Sequence, residues 1–209
     1  MNITNPKIER YVMKALPPRD KVLREMEQYA RKHAFPIIGP MVGRFLSQLA
    51  LITGAKRILE LGSGYGYSAY WFAGGMKKGG KIICTDLSEE NRARAIEFFK
   101  RGGFGPMLEY HVGDALEIAE QLKGPFDIIL NDIDKIDYPR ALETAIPRLR
   151  KGGIFVTDNV LWSGRIFHKK KTAESKAILE FNRRLFSSKK IFSSILPVRD
   201  GLAIAVKAD

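Results

Sequence analysis

Glycines and carboxylates recur along this chain directly after short apolar runs. Arg57–Leu61 is followed by Gly62-Ser63-Gly64-Tyr65-Gly66, Lys81–Thr85 by Asp86, and Leu108–Val112 by Gly113-Asp114. Phe126–Asn131 leads into Asp132-Ile133-Asp134-Lys135, and Ile154–Thr157 into Asp158-Asn159. If each run is a strand of one parallel sheet, these polar sets gather beyond its carboxyl edge, where open α/β sheets bind ligands. The glycine loop lacks the last glycine of a G-x-G-x-x-G fingerprint, since position 67 is Tyr. That argues against a pyrophosphate. It still brings backbone N–H groups to a helix start, where a smaller carboxylate binds. Asp86 lies roughly 20 residues downstream, where such folds set an acidic side chain on ribose hydroxyls. A nucleoside without phosphates that carries an amino acid fits both features, and S-adenosylmethionine (SAM) is that ligand. Glycines in a tight turn and Asp86 as a helix cap would need no ligand.

Asp132, Asp158 and Asn159 offer only oxygen donors, and the 3 histidines are scattered. Oxygen sets select hard cations such as Mg²⁺, Mn²⁺ or Ca²⁺. Asp158-Asn159 equally suits a turn after a strand. Beside a cation, and partly desolvated, an ammonium such as that of Lys135 loses its proton more readily and could act as a general base. An ordinary surface lysine is the other reading. Trp162 and Trp71 are the aromatic candidates for an acceptor ring, and Trp71 lies in a helical segment that suits the core.

The elements that must position these residues are legible as periodicity. Helix-period segments at Tyr67–Met76, Glu89–Lys100, Ala115–Leu122 and Tyr138–Leu149 separate the apolar runs. Such alternation predicts a doubly wound, mostly parallel sheet covered on both faces. Three helices precede it: Ile8 to Ala15, Val22 to about His33, and Pro40 to Thr53. A helix near Thr172–Phe186 and strands Ile191–Leu196 and Leu202–Val206 follow, the last two joined through Asp200-Gly201 as an antiparallel hairpin. The expected fold is α/β and Rossmann-like, with a seven-stranded sheet, an antiparallel C-terminal hairpin and N-terminal helices. Residues 1–209 are expected to form one domain.

Composition agrees, at 45% hydrophobic and 28% charged. A single cysteine, Cys84, excludes a disulfide scaffold or a Cys-based zinc site. Lys plus Arg at 35 against Asp plus Glu at 23 gives +12, a balance that attracts polyanions or acidic substrates, or simply aids solubility. No apolar run approaches the roughly 20 residues of a membrane span. The stretch Met1 to Arg10 has no apolar signal region, so a cytoplasmic protein without membrane association is expected.

Four stretches, in order, resemble the metal-dependent class I O-methyltransferases, the family of catechol and caffeoyl-CoA O-methyltransferases and small bacterial relatives. Ile58-Leu59-Glu60-Leu61-Gly62 with Gly66-Tyr67-Ser68 is similar to the cofactor loop, and Asp127 through Lys135 to the strand-four segment. Gly152-Gly153 through Thr157-Asp158-Asn159-Val160-Leu161-Trp162-Ser163-Gly164 resembles the strand-five signature. Leu196-Pro197-Val198 with Asp200-Gly201-Leu202 resembles the tail. Asn131 replaces a usually apolar residue, and Met41 an acid often seen in bacterial relatives.

The resemblance implies SAM-dependent O-methyl transfer, with Asp132, Asp158 and Asn159 on a divalent metal, Mg²⁺ foremost, and Lys135 as general base. It gives Asp86 the ribose hydroxyls, Gly62 and Ser68 the methionine end with Glu60 supporting the loop, and Asp114 and Ala115 the adenine. Ser63, Gly64, Tyr67, Leu87, Gly113 and Asp132 complete the cofactor contacts. Ile37-Ile38-Gly39 resembles a lid, so residues 1–54 read as a helical extension and lid, and a homodimer is implied.

Two acceptors fit that chemistry. A catechol-like phenol chelates a metal through adjacent oxygens, with Trp162, Lys135 and Arg165 on the acceptor side. Some bacterial relatives instead methylate 5-hydroxyuridine at the tRNA wobble position, whose hydroxyl lies beside a carbonyl. Arg165, His168, Lys169, Lys170 and Lys171 follow the strand-five site and suit phosphates. The same loop also reads as simply solvated.

Overall fold

The computed structural model describes residues 3–208; Met1, Asn2 and Asp209 of the expected domain lie outside the described residues. Helix α1 (Pro6–Ala15) opens the chain and buries no residue of its own. Strands β1 (Arg57–Leu61), β2 (Lys81–Asp86), β3 (Leu108–Val112), β4 (Phe126–Asn131) and β5 (Leu149–Thr157) are parallel. With β6 (Ile191–Leu196) and β7 (Leu202–Lys207) they form one sheet in the order β3-β2-β1-β4-β5-β7-β6. β7 runs antiparallel to both β5 and β6, so the expected mixed seven-stranded sheet is present.

The central strands are continuous apolar runs because helices cover both of their faces. On one face α2 (Lys21–His33), α3 (Gly39–Thr53), α4 (Tyr67–Gly75) and α5 (Glu89–Arg101) bury Met26, Leu46, Phe72 and Phe99 in a cluster with Ile58 and Leu130. On the other, α6 (Ala115–Gln121), α7 (Tyr138–Arg148) and α8 (Ala173–Ser187) contribute Leu116, Tyr138 and Phe181 to a cluster with Leu61 and Phe155.

Three details differ from the sequence reading. β5 begins at Leu149, directly after α7, because Leu149 already pairs with Phe126 across an irregularity in the ladder. The β6–β7 connection is longer than Asp200-Gly201: Leu196 pairs with Leu202, leaving Pro197 to Gly201 as the turn. A run of 3₁₀ turns over Trp162–Phe167 was not anticipated, since three successive left-handed residues leave no periodic trace.

Register decides what the sheet edge presents. Leu61 pairs with Thr85 on one side and Asn131 on the other, and Asn131 pairs with Thr157. Gly62, Asp86, Asp132 and Asp158 therefore emerge side by side, where the strand order reverses between β1 and β4. Gly62 is required by close approach: at φ 81°, a Cβ there would lie 2.6 Å from the Asp132 carbonyl oxygen. No helix among the described residues is long and apolar enough to cross a membrane.

Candidate active site

The level strand ends open on one cavity of about 1120 Å³. In the half nearest β1 and β2, the glycine loop folds onto itself. The Gly62 and Ser63 N–H groups donate to the Thr85 carbonyl at 3.1 and 2.8 Å, and Gly66 N–H to the Ser63 carbonyl at 2.9 Å. Gly64 N–H donates to Asp86 Oδ2 at 3.0 Å. The tight turn thus uses these amides. The open donors here belong to the first turn of α4, which has no side-chain cap.

Asp86 is held in place by that bond and by Ser88 N–H and Asn91 Nδ2, which both donate to Oδ1 at 2.9 Å. Leu87, 79% exposed, stands on the cavity rim. Asp114 accepts from the Leu116 and Glu117 amides, so it caps α6 while lining the cavity with Gly113 and Ala115. Ile38, Tyr67 and Ser68 line it as well, and the Phe35 ring lies against Gly64.

Glu60 stands apart from this lining, fully buried behind it. Ser68 Oγ donates to its Oε1, and Cys84 Sγ lies 3.6 Å from Oε2. Burial pushes the Glu60 carboxyl up to about 7, although hydrogen bonds from Ser68, Ser63 and Cys84 lower it. Glu60 therefore orients Ser68 instead of touching what fills the cavity.

The other half grows from β4 and β5. The ladder continues one residue past each strand: Asp132 N–H donates to the Leu61 carbonyl at 2.9 Å, and Asp158 N–H to that of Asn131 at 3.2 Å. Asp158 is buried and Asp132 half-buried. Desolvation pushes both carboxyls above the usual range, and the Asp158 charge pushes Asp132 further. Lys135 and Arg199 oppose this in both. Lys135 Nζ lies 3.5 Å from Asp132 Oδ1 and 3.3 Å from the Ile133 carbonyl. Asn159 is left-handed, at φ 59°, with its N–H donating to Asp158 Oδ1 at 2.9 Å. Tyr138 Oη donates to the Asp158 carbonyl at 2.8 Å, fixing that turn from below.

Two carboxylates desolvated together, with an amide alongside, fit a hard dication by charge and by donor type. Among the described residues no three His, Cys, Asp or Glu side chains form a metal cluster; Asn159 lines the same cavity as the two aspartates.

Trp162 and Arg165 are not among the residues that line this cavity. The Arg165 guanidinium stacks on the Trp162 ring at 4.8 Å, and Lys135 Nζ lies 5.7 Å from the same ring. Left-handed Trp162, Ser163 and Gly164 turn the chain so that Ser163 reaches the lining instead. Trp71 belongs to the core edge, not the cavity. Sequence reading passed over Phe35, Arg199 and the bidentate Arg19–Glu27 pair, which also line it. Phe35-Pro36 was a readable signal of a fixed aromatic; nothing in sequence marks Arg199.

Strand order and a cavity at the switch point define a doubly wound, ligand-binding α/β enzyme. The chain matches the O-methyltransferase family over residues 15–208 and belongs to that family. It is 30% identical over 211 residues to a catechol O-methyltransferase from Niastella koreensis, spanning 95% of this chain and 96% of that one. A caffeoyl-CoA O-methyltransferase from Eucalyptus globulus is 28% identical, over 90% of this chain and 82% of the relative. The crystal structure of an O-methyltransferase from Bacillus cereus in complex with SAH is similar at a TM-score of 0.87 and 29% identity, covering 96% of this chain and 97% of that one.

Proposed function

We propose that this O-methyltransferase moves the methyl group of SAM to one hydroxyl of a catechol-like phenol, with a divalent cation held by Asp132, Asp158 and Asn159. The observation that carries the reading is the shared strand-end edge: Asp86 and the α4 start at one end of the cavity, the carboxylate pair and Lys135 at the other. The SAH complex of the Bacillus cereus relative supports the cofactor, and the name of the Niastella koreensis relative supports the acceptor.

SAM supplies an electrophilic methyl on a sulfonium, and a cation, Mg²⁺ foremost, makes a nearby hydroxyl more acidic. The α4 amides hold the methionine carboxylate, favoured by the helix dipole, and Ser68, held by Glu60, lines the methionine end. Asp86 accepts from the ribose hydroxyls, while Leu87 and the Gly113–Ala115 turn border the adenine. Lys135 Nζ takes the proton that the hydroxyl gives up. The O–CH₃ bond forms as the C–S bond breaks, and the electron pair leaves on the sulfur of SAH. Holding oxygen and methyl in line at about 3 Å removes much of the entropic barrier.

Transfer from labelled SAM to catechol, to a monohydroxy phenol and to hypomodified tRNA tests the proposal. Catechol methylation that EDTA abolishes and Mg²⁺ restores is expected, with the single hydroxyl inert. Methylation of tRNA in place of catechol would move the reading to an RNA acceptor, which exposed Arg165, Lys169 and Lys170 favour.

A further inference from the structure

Arg199, at the tip of the β6–β7 connection, lines the cavity. Its Nη1 donates to the Ile37 carbonyl at 2.8 Å, joining segments 162 residues apart. Gly39 makes room for it: a Cβ there would come within 2.9 Å of Nη1. The turn around it is anchored on either side. Pro197 accepts from Thr4 Oγ1 at 2.8 Å, and the Asp200 and Gly201 carbonyls accept from Leu161 N–H and Val160 N–H at 2.9 and 3.1 Å. Arg199 is held at φ 51°, a conformation side chains rarely adopt, so the backbone is strained to present this guanidinium. It lines the same cavity as Asp132 and Asp158.

We propose that Arg199 is a positioning residue that latches the Phe35–Gly39 segment over the cofactor end of the cavity while setting its charge against the Asp132–Asp158 pair at the acceptor end. The ligand arms rest on the function proposed above; the latch itself does not. One side chain then acts on the two ligands with opposite sign. Its hydrogen bond secures the segment that covers the cofactor. Its positive charge competes with a cation for the same two carboxylates, so removing it helps the cation and harms the cofactor.

Arg199→Gly separates this from a merely structural role, because glycine fits φ 51° and relieves the strain. Expected for the full-length variant are an unchanged or raised melting temperature and faster amide exchange confined to residues 35–39 without ligand. SAH binding by calorimetry should weaken about tenfold, while Mn²⁺ binding tightens about threefold. Arg199→Lys should restore SAH affinity at least in part and return Mn²⁺ affinity to the original value. Unchanged exchange at 35–39, or a parallel loss of stability and of both ligands, would overturn the latch. If the unsubstituted enzyme binds neither SAH nor Mn²⁺, the functional reading fails while the exchange experiment still decides on the latch.

Discussion

Glu60 shows what burial does to a single side chain at this site. Its carboxyl is raised from 4.5 to about 7, so the folded enzyme holds a proton through a window in which the unfolded chain has lost it. The stability this contributes is complete below about pH 4.5 and is lost as pH rises towards 7. Glu60→Gln removes the dependence. Its melting temperature should match the original near pH 4.5 and exceed it at pH 8, by an amount on the order of 3 kcal/mol of stability. A constant difference across that range would contradict the assignment. Lys135 is probed by kinetics instead: Lys135→Met should lower kcat by about 10²–10⁴-fold with SAH affinity unchanged, and equal losses in both would deny it the proton-transfer role. At this scale the sequence made Asp86, Asp132, Asp158 and Asn159 legible, because each follows an apolar run. Arg199 and the true orientation of Trp162 were hidden, because left-handed backbone at non-glycine residues has no reliable sequence signature.

The elements were more readable than their joints. Among the described residues, seven strands and eight helices stand where periodicity set them, within a few residues, except that β5 starts earlier. Burial on both faces is what wrote the strands so plainly, yet buried polar side chains lie among them. Asn131 and Thr157, neighbours across β4 and β5, bury amide and hydroxyl atoms with no partner among the described residues. An unsatisfied buried polar group costs about 1–3 kcal/mol. Asn131→Leu with Thr157→Val should therefore raise stability by about 2 kcal/mol in urea unfolding; a fall would mean that the pair is satisfied by an internal water. Gly62 makes the contrary case. Gly62→Ala at φ 81°, against the Asp132 carbonyl, should cost about 2 kcal/mol or more and weaken SAH binding, and a neutral result would deny the close approach.

The whole molecule carries +12, and that charge reaches any polyanion. Bulk tRNA should bind at low salt and be released by about 0.2 M NaCl, since phosphate neutralisation alone is steeply salt-dependent. Catechol turnover should persist across the same range, and tRNA binding that survives high salt would favour an RNA acceptor. A superfold hosts many chemistries, and the site alone selects among them. The proposed site rests on three oxygen donors meeting at the acceptor end of the cavity. Anomalous diffraction from crystals soaked with SAH and Mn²⁺ tests it most directly. One manganese peak is predicted, at about 2.0–2.6 Å from an oxygen of each of Asp132, Asp158 and Asn159. Bound SAH with manganese elsewhere, or with none, would contradict it.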